Sequence, residues 1–303
     1  MSALSRFLDS DFVWSFTRNK VAVVSAIVVV VMVVGAVFSP WLAPHNPFDL
    51  ASLNLMDSFT PPAFTAEGQN TFPLGTDDQG RDVLSGIMYG TRISLFVALL
   101  SIAFAIGVGI TVGLIAGYAG GSVDSLLMRV VDVQLTFPSI LIALLVDGVV
   151  RAVIPRGQQE ALEIYVIIFA IGISRWPQFA RTVRGSTMVE RGRDYVMAAR
   201  VIGLSSPRIL LRHILPNVLG PVLVIGTLNL GLAILDEAAL SFLGVGLPPT
   251  QPSLGTLIRI GNNFLFSGEW WITIFPGAAL AAMVLSINLL GDWLRDALNP
   301  RLR

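Results

Sequence analysis

Long stretches without a single charged residue set the rhythm of this chain. Val21–Phe38 runs for 18 residues, Ile93–Ala116 for 24, Val218–Leu235 for 18 and Trp270–Gly291 for 22. Each has the length of a helix that crosses a bilayer core roughly 30 Å thick. Two shorter runs follow the same chemistry. Val133–Val146 has 14 charge-free residues and reaches span length only by extending back over Asp132 and Arg129 to Leu126. Ile164–Ser174 has 11 and ends at Arg175. Runs this short also suit re-entrant or buried segments. Counting both predicts an all-α membrane protein with six transmembrane helices.

Charge supports that count. Only 13% of the 303 residues are charged and 54% are hydrophobic, whereas soluble domains carry roughly 25% charged residues. Lipid is therefore the expected solvent. With six alternating spans, fifteen of the 20 bases fall on one side. They are Arg6, Arg18, Lys20, Arg129, the eight arginines from Arg175 to Arg212, Arg295, Arg301 and Arg303. The positive-inside rule then predicts both termini in the cytoplasm. Asp147, Asp236 and Glu237 fall near the outer ends of spans, and solvation is the simple reading for Asp147. Arg129 and Asp132, three apart, are expected to pair locally. Val21–Phe38 is too long for a cleaved leader and lacks a small-residue cleavage pattern before Ser39-Pro40-Trp41.

The expected layout has an arm and first span at 1–38 and an outer loop at 39–90. A helical core follows at 91–296 and a tail at 297–303. The loop is rich in Pro and Asp and is expected to cover the outer mouth of the bundle. Ser101, Ala105, Gly109, Gly113 and Gly117 recur every four residues in the second run. Such a stripe is a helix-packing seam that permits close approach. Pro138, Pro177 and Pro221 predict kinks or helix ends.

The longest polar island of the second half is 181–216. Asp194 is placed to cap a short helix over Tyr195–Ile202, and Gly203 is a natural stop after it. Ser206 offers a second cap with Pro207 in the first turn. Ala198 and Ala199 leave little side chain between this helix and any neighbour. It reads either as a docking knob for another protein or as a loop tucked against its own bundle.

Chemistry of other kinds is missing from the chain. It has no cysteine and only two histidines, His45 and His213, so neither thiolate metal sites nor a paired-histidine zinc motif can form. No Walker A sequence is present. A membrane-embedded enzyme would need a nucleophile–base pair or a carboxylate dyad, and no span carries two central carboxylates. A lone channel could share the glycine seam but has no need of the island's spacing.

That spacing resembles the EAA signature of binding-protein-dependent ABC importer permeases. Ala198-Ala199, Gly203 and Leu215-Pro216 match it, and Met197 stands where the family has glutamate. Leu74-Gly75-Thr76-Asp77, Gly80-Arg81-Asp82, Ser85, Gly90, Arg92, Ser94 and Leu95 are similar to the dipeptide, oligopeptide and nickel branch. So are Met128-Arg129, Asp132, Phe137-Pro138, the segment Glu237–Gly244 with Pro249, Pro252 and Gly255, and Asn288–Asp292 with Asn299-Pro300. Leu254 replaces the usual tryptophan, and the overall pattern resembles the C-type permease subunit.

The resemblance implies a type I importer transmembrane domain in the bacterial inner membrane. It further implies two ATP-binding subunits in the cytoplasm, a homologous second permease and an extracytoplasmic substrate-binding protein. Asp194, Tyr195, Met197, Ala198, Ala199, Gly203, Leu215 and Pro216 would form the coupling loop, with Asp194 or Glu190 in place of the missing glutamate. Nothing in it implies a catalytic site, cofactor, metal or nucleic acid. The implied cargo is di- or oligopeptides, with nickel chelates, opines or other small solutes as the alternative. The literal Glu237-Ala238-Ala239 lacks a glycine at the coupling spacing.

Overall fold

The computed structural model describes residues 11–49, 53–153, 155–247 and 251–297. Arg6, Pro249, Asn299, Pro300, Arg301, Arg303 and the tail from 298 lie outside the described residues. The principal helices are α1 (Asp11–Arg18), α2 (Lys20–Val37), α3 (Val83–Ala119), α4 (Gly121–Leu135), α5 (Ser139–Val153), α6 (Arg156–Arg191), α7 (Asp194–Val201), α8 (Leu215–Phe242), α9 (Leu254–Asn262) and α10 (Trp271–Ala297).

The count of spans differs from the six predicted. Among the described residues, four helical stretches are long and apolar enough to cross a membrane: α2, α3, the continuous stretch Ser206–Phe242 that contains α8, and α10. A fifth exists only if α4 and α5 are one broken span, and they bend by 91°. Pro138 stands at that break, where it cannot donate a helical N–H bond. The run Ile164–Ser174 lies inside α6, bounded by Glu163 and Arg175. Those charges leave no sufficiently apolar window, so α6 does not qualify. The alternation that placed both termini in the cytoplasm therefore no longer follows.

The small-residue stripe is a seam, as its spacing predicts. Ser101, Ala105, Gly109, Gly113 and Gly117 are all buried. A methyl group on Gly113 would come within 2.6 Å of the Ala180 carbonyl oxygen and Val183 Cβ, and one on Gly117 within 2.7 Å of Thr187 Cβ. α3 and α6 thus approach at backbone distance. Opposite them, Gly107 has open space, so the stripe is specific to one face. Phe179, Ala180 and Val183 complete the buried side of the seam.

Ion pairs fasten the bundle where the sequence suggested solvated ends. Arg175 is only 6% exposed. Its Nε and Nη2 donate to Asp236 Oδ2 at 3.0 and 2.6 Å, and Nη1 reaches Asn229 Oδ1 at 3.5 Å. The pair joins α6 to α8, so Arg175 and Asp236 cannot lie on opposite sides of the membrane. Asp147 is buried and accepts from Arg151 Nε at 2.6 Å rather than facing solvent. Arg151 also pairs with Glu163. Asp132 takes Arg181 as its partner at 2.6 Å, not the local Arg129. Glu237 is fully buried, accepting from Ser94 Oγ at 2.7 Å and Ser241 Oγ at 2.8 Å. It knits the start of α3 to the end of α8, and Leu254 N at the start of α9 reaches the same Ser94 Oγ at 3.3 Å.

The loop before α3 is built of linked turns. Asp82 caps α3, with Oδ2 accepting from Ser85 N at 2.8 Å. Trp271 Nε1 donates to the Thr76 carbonyl at 3.0 Å, which ties the loop to α10. Gly75 adopts φ +80° beside that indole, where a side chain would strike it. Asp77 Oδ1 accepts from Gln79 N and Arg81 N at 2.8 and 2.9 Å. Burial outweighs these bonds and pushes the Asp77 carboxyl up to about 6.

Two outcomes follow. A carboxyl raised above its ordinary 3.8 stabilises the fold fully below that value, and the contribution is lost as pH rises through about 6. Asp77→Asn keeps the acceptor, so the thermal midpoint of the wild type should fall relative to this variant between those pH values and run parallel above them. A constant difference across the whole range would contradict the assignment. For the α6–α8 pair, Arg175→Met leaves the partly buried Asp236 carboxylate unpaired and should cost about 3 kcal/mol, the lower end for a buried pair. Arg175→Met with Asp236→Met should recover much of that loss in detergent-solubilised unfolding.

Candidate functional site: an elbow at the foot of the bundle

The polar island forms a tight elbow at the end of α3 remote from the turns of 53–82. α6 ends at Arg191, Gly192 is its C-cap, and α7 begins at Asp194. Asp194 was expected as the cap, but that position belongs to Arg193, which makes no side-chain cap bond. Asp194 instead lies in the first turn, where its negative charge suits the helix dipole. The second short helix likewise starts at Ser206 with Ser205 at the cap.

The stop at Gly203 matches expectation. Gly203 sits at φ +79°, a conformation open to glycine at no steric cost. Its N–H donates to the Arg200 carbonyl at 3.0 Å, and Leu204 N–H to the Ala199 carbonyl at 3.1 Å. These two bonds are the Schellman pattern, which closes a helix and reverses the chain.

α7 has two faces. Val196 and Ala199 are buried against the bundle. Met197, Val201 and Ile202 are 49%, 87% and 74% exposed. Ala198 and Asp194 are exposed beside them. Ala199 therefore serves internal packing, while Met197 and Ala198 look outward.

Polar contacts hold the elbow at its angle. Arg191 Nη1 donates to the Tyr118 carbonyl at 2.9 Å, which satisfies the C-terminus of α3. The Arg200 guanidinium lies 5.0 Å from the centroid of the Tyr118 ring, a cation–π contact. Tyr195 OH donates to Glu190 Oε2 at 2.5 Å and accepts from Asn217 Nδ2 at 3.1 Å. Asn217 also donates to the His213 carbonyl at 2.8 Å. Partial burial, and after it the Glu190 carboxylate, hold the Tyr195 phenol above its ordinary range. It thus remains a proton donor to Glu190.

Beyond the second short helix the chain passes through a π-helical turn, Leu210–Ile214, into α8. Positions five apart in an α-helix point about 140° from each other. The wider turn brings Ile209 and Ile214 to the same buried side. Leu215 and Pro216 open α8, so the polar island leads into a membrane-length helix without a break. The literal Glu237-Ala238-Ala239 lies elsewhere. Glu237 binds Ser94, near the opposite end of α3, and Gly255 of α9 packs directly on the Ala238 backbone.

The sequence reading missed the two carboxylate contacts of α8, partly buried Asp236 with Arg175 and fully buried Glu237 with Ser94. The available signal was an ionisable residue beside a long apolar run, which is costly in lipid and needs a partner.

Comparison with known proteins gives the family of the chain. Residues 109–303 match the family described as "Binding-protein-dependent transport system inner membrane component". Residues 8–62 match the "N-terminal TM domain of oligopeptide transport permease C". The chain is 42% identical to the dipeptide transport system permease protein DppC of Escherichia coli K12, over 97% of this chain and 93% of that one. It is 37% identical to the di/tripeptide transport system permease protein DppC of Pseudomonas aeruginosa, over 97% and 92%. To the oligopeptide transport system permease protein OppC of Bacillus subtilis it is 34% identical, over 100% and 93%. Among solved structures it is similar to an inward-facing MetNI methionine ABC transporter chain, with TM-score 0.55 and 18% identity, covering 69% of this chain and 94% of that one. That likeness concerns the fold. The chain thus belongs to the inner-membrane permease family of binding-protein-dependent ABC transport systems, in its DppC/OppC branch.

Proposed function

We propose that this permease subunit imports short peptides, and that α7 is the contact through which ATP-binding subunits drive it. The observation that carries the coupling role is the two-faced α7: one side buried in its own bundle, the other an exposed apolar surface of Met197, Val201 and Ile202. Exposed apolar residues gathered on one short helix mark a protein contact more readily than a solvated turn. Support for the peptide cargo comes from relatives named for dipeptide, di/tripeptide and oligopeptide transport. The subunit itself is a permease and not an enzyme.

In this reading two ATP-binding subunits seat Met197 and Ala198 of α7 from the cytoplasm. A homologous second permease supplies the other half of the pathway, and an extracytoplasmic binding protein delivers the peptide. Val196 and Ala199, the Schellman closure at Gly203 and the Tyr195–Glu190 contact hold α7 rigid. Leu215 and Pro216 pass its displacement into α8 through a continuous helical stretch. Rocking of packed helices is a common way to alternate access. Glu190 is already engaged by Tyr195 and lies 3.9 Å from Arg193. Asp194 is therefore the better stand-in for the glutamate replaced by Met197.

Uptake of a labelled dipeptide and ATP hydrolysis, measured together on the purified complex in proteoliposomes, test both parts. Asp194→Ala should lower transport-linked hydrolysis about tenfold, the scale of one charge-assisted hydrogen bond. Met197→Ala should have the smaller effect. Equal effects would remove Asp194 from the contact. Failure of Met197→Cys to cross-link to a co-purified ATP-binding subunit would remove α7 from it altogether.

A further inference from the structure

At the end of α3 remote from α7 lies an open cavity of about 510 Å³ that neither the helix packing nor the elbow uses. α3 supplies Tyr89, Arg92 and Phe96 to its walls, the loop before α3 supplies Phe48, α6 supplies Ile164, and the segment before α9 supplies Gln251. Positions 89, 92 and 96 are three and four apart, so they share one face of the helix. Ser101 of the buried seam stands nine positions beyond Arg92, about 180° round the helix. The seam therefore occupies the far side of α3, and Arg92 is left exposed.

The polar groups on this wall are unspent. Gln251 is exposed like Arg92, and Tyr89 is half-buried. None of the three has a hydrogen-bond or ion-pair partner among the described residues. No aspartate or glutamate occurs among the described lining residues, so nothing there balances the guanidinium charge. An arginine at the edge of the charge-free run Ile93–Ala116 is costly in lipid and marks a functional group by default. Its planar fork matches a carboxylate through two parallel N–H bonds. The Gln251 amide offers both a donor and an acceptor, which a peptide amide requires and a phosphate does not. The remaining walls are apolar. Phe96 is 50% exposed, and Phe48 lies edge-on to Tyr89 with ring centroids 5.1 Å apart. Mostly apolar clefts of roughly 300–1,000 Å³ with a few placed polar groups are the usual form of small-ligand sites.

We propose that this cavity takes the C-terminal end of a short peptide. Arg92 pairs with the terminal carboxylate, Tyr89 and Gln251 bond the last amide, and Phe96 with Ile164 receives an apolar C-terminal side chain. The inference rests on the peptide-import reading for its ligand and is independent of the coupling role of α7.

Equilibrium binding of radiolabelled alanyl-phenylalanine to the purified permease with its co-purifying subunits, in nanodiscs and without the extracytoplasmic binding protein, tests the proposal. Saturable binding is expected from the free peptide, and binding about tenfold weaker or worse from its C-terminal amide. Arg92→Gln should weaken the free peptide by about tenfold or more and leave the amide unchanged, a split that a folding defect would not produce. Arg92→Lys should recover part of the loss, and Phe96→Ala should weaken both forms. Absence of saturable binding in the wild type would overturn the proposal. So would equal binding of the amide, or unchanged affinity in Arg92→Gln. An anionic phospholipid that co-purifies with the wild type, is lost in Arg92→Gln and is not displaced by the peptide would overturn it too. Uptake of the same dipeptide with the binding protein present separates the two readings. Uptake without binding at the cavity overturns the site alone, and absence of both overturns the import reading with it.

Discussion

Gly109, Gly113 and Gly117 lie against Trp176 to Thr187 of α6, where an added methyl group would strike backbone and Cβ atoms alike. In lipid, helices gain little by hiding apolar surface, because the solvent is as apolar as the side chains. Close packing has to supply the attraction instead. The stripe on α3 makes that packing possible along several turns of α6, and the remaining helices assemble around the pair. α6 is too charged to qualify as an apolar span, so its burial against α3 is what accommodates it.

Charges complete what the seam begins. Arg175 with Asp236 ties α6 to α8, Arg184 with Asp124 ties α6 to α4, and Glu237 with Ser94 ties α8 to α3. Each joins two helices rather than neighbours on one. Breaking a buried pair leaves an uncompensated charge, whereas the intact pair adds modest net stability. Such contacts therefore define which helices meet and at what height, more than they raise overall stability.

The elbow is placed by these same contacts. Arg191 and Arg200 both reach Tyr118 at the foot of α3, so α7 is anchored to the seam itself. From α7 the chain turns at Gly203 and runs through the π-helical turn into α8 without a gap. A permease subunit whose outward-facing contact is seated on its central helix pair has a rigid link between that contact and its membrane-length helices.

Much of this could be read from residue order alone. Four membrane-length helices, the glycine seam, the break at Pro138 and the stop at Gly203 are local events, set by side-chain size, polarity and backbone freedom within a few residues. The motif spacing around Ala198, Gly203 and Pro216 was equally legible, and it led to the right family. Tertiary structure alone decided the rest. That Ile164–Ser174 lies within a single helix from Arg156 to Arg191 was settled by the structure. The partners of Asp132 and Asp236 lie many residues away, so local spacing misassigned Asp132 and gave Asp236 no partner, while Asp147 was read as solvated. Sequence lists the charges a chain must satisfy; only the packed bundle, where lipid makes an unpaired charge costly, settles the partner of each.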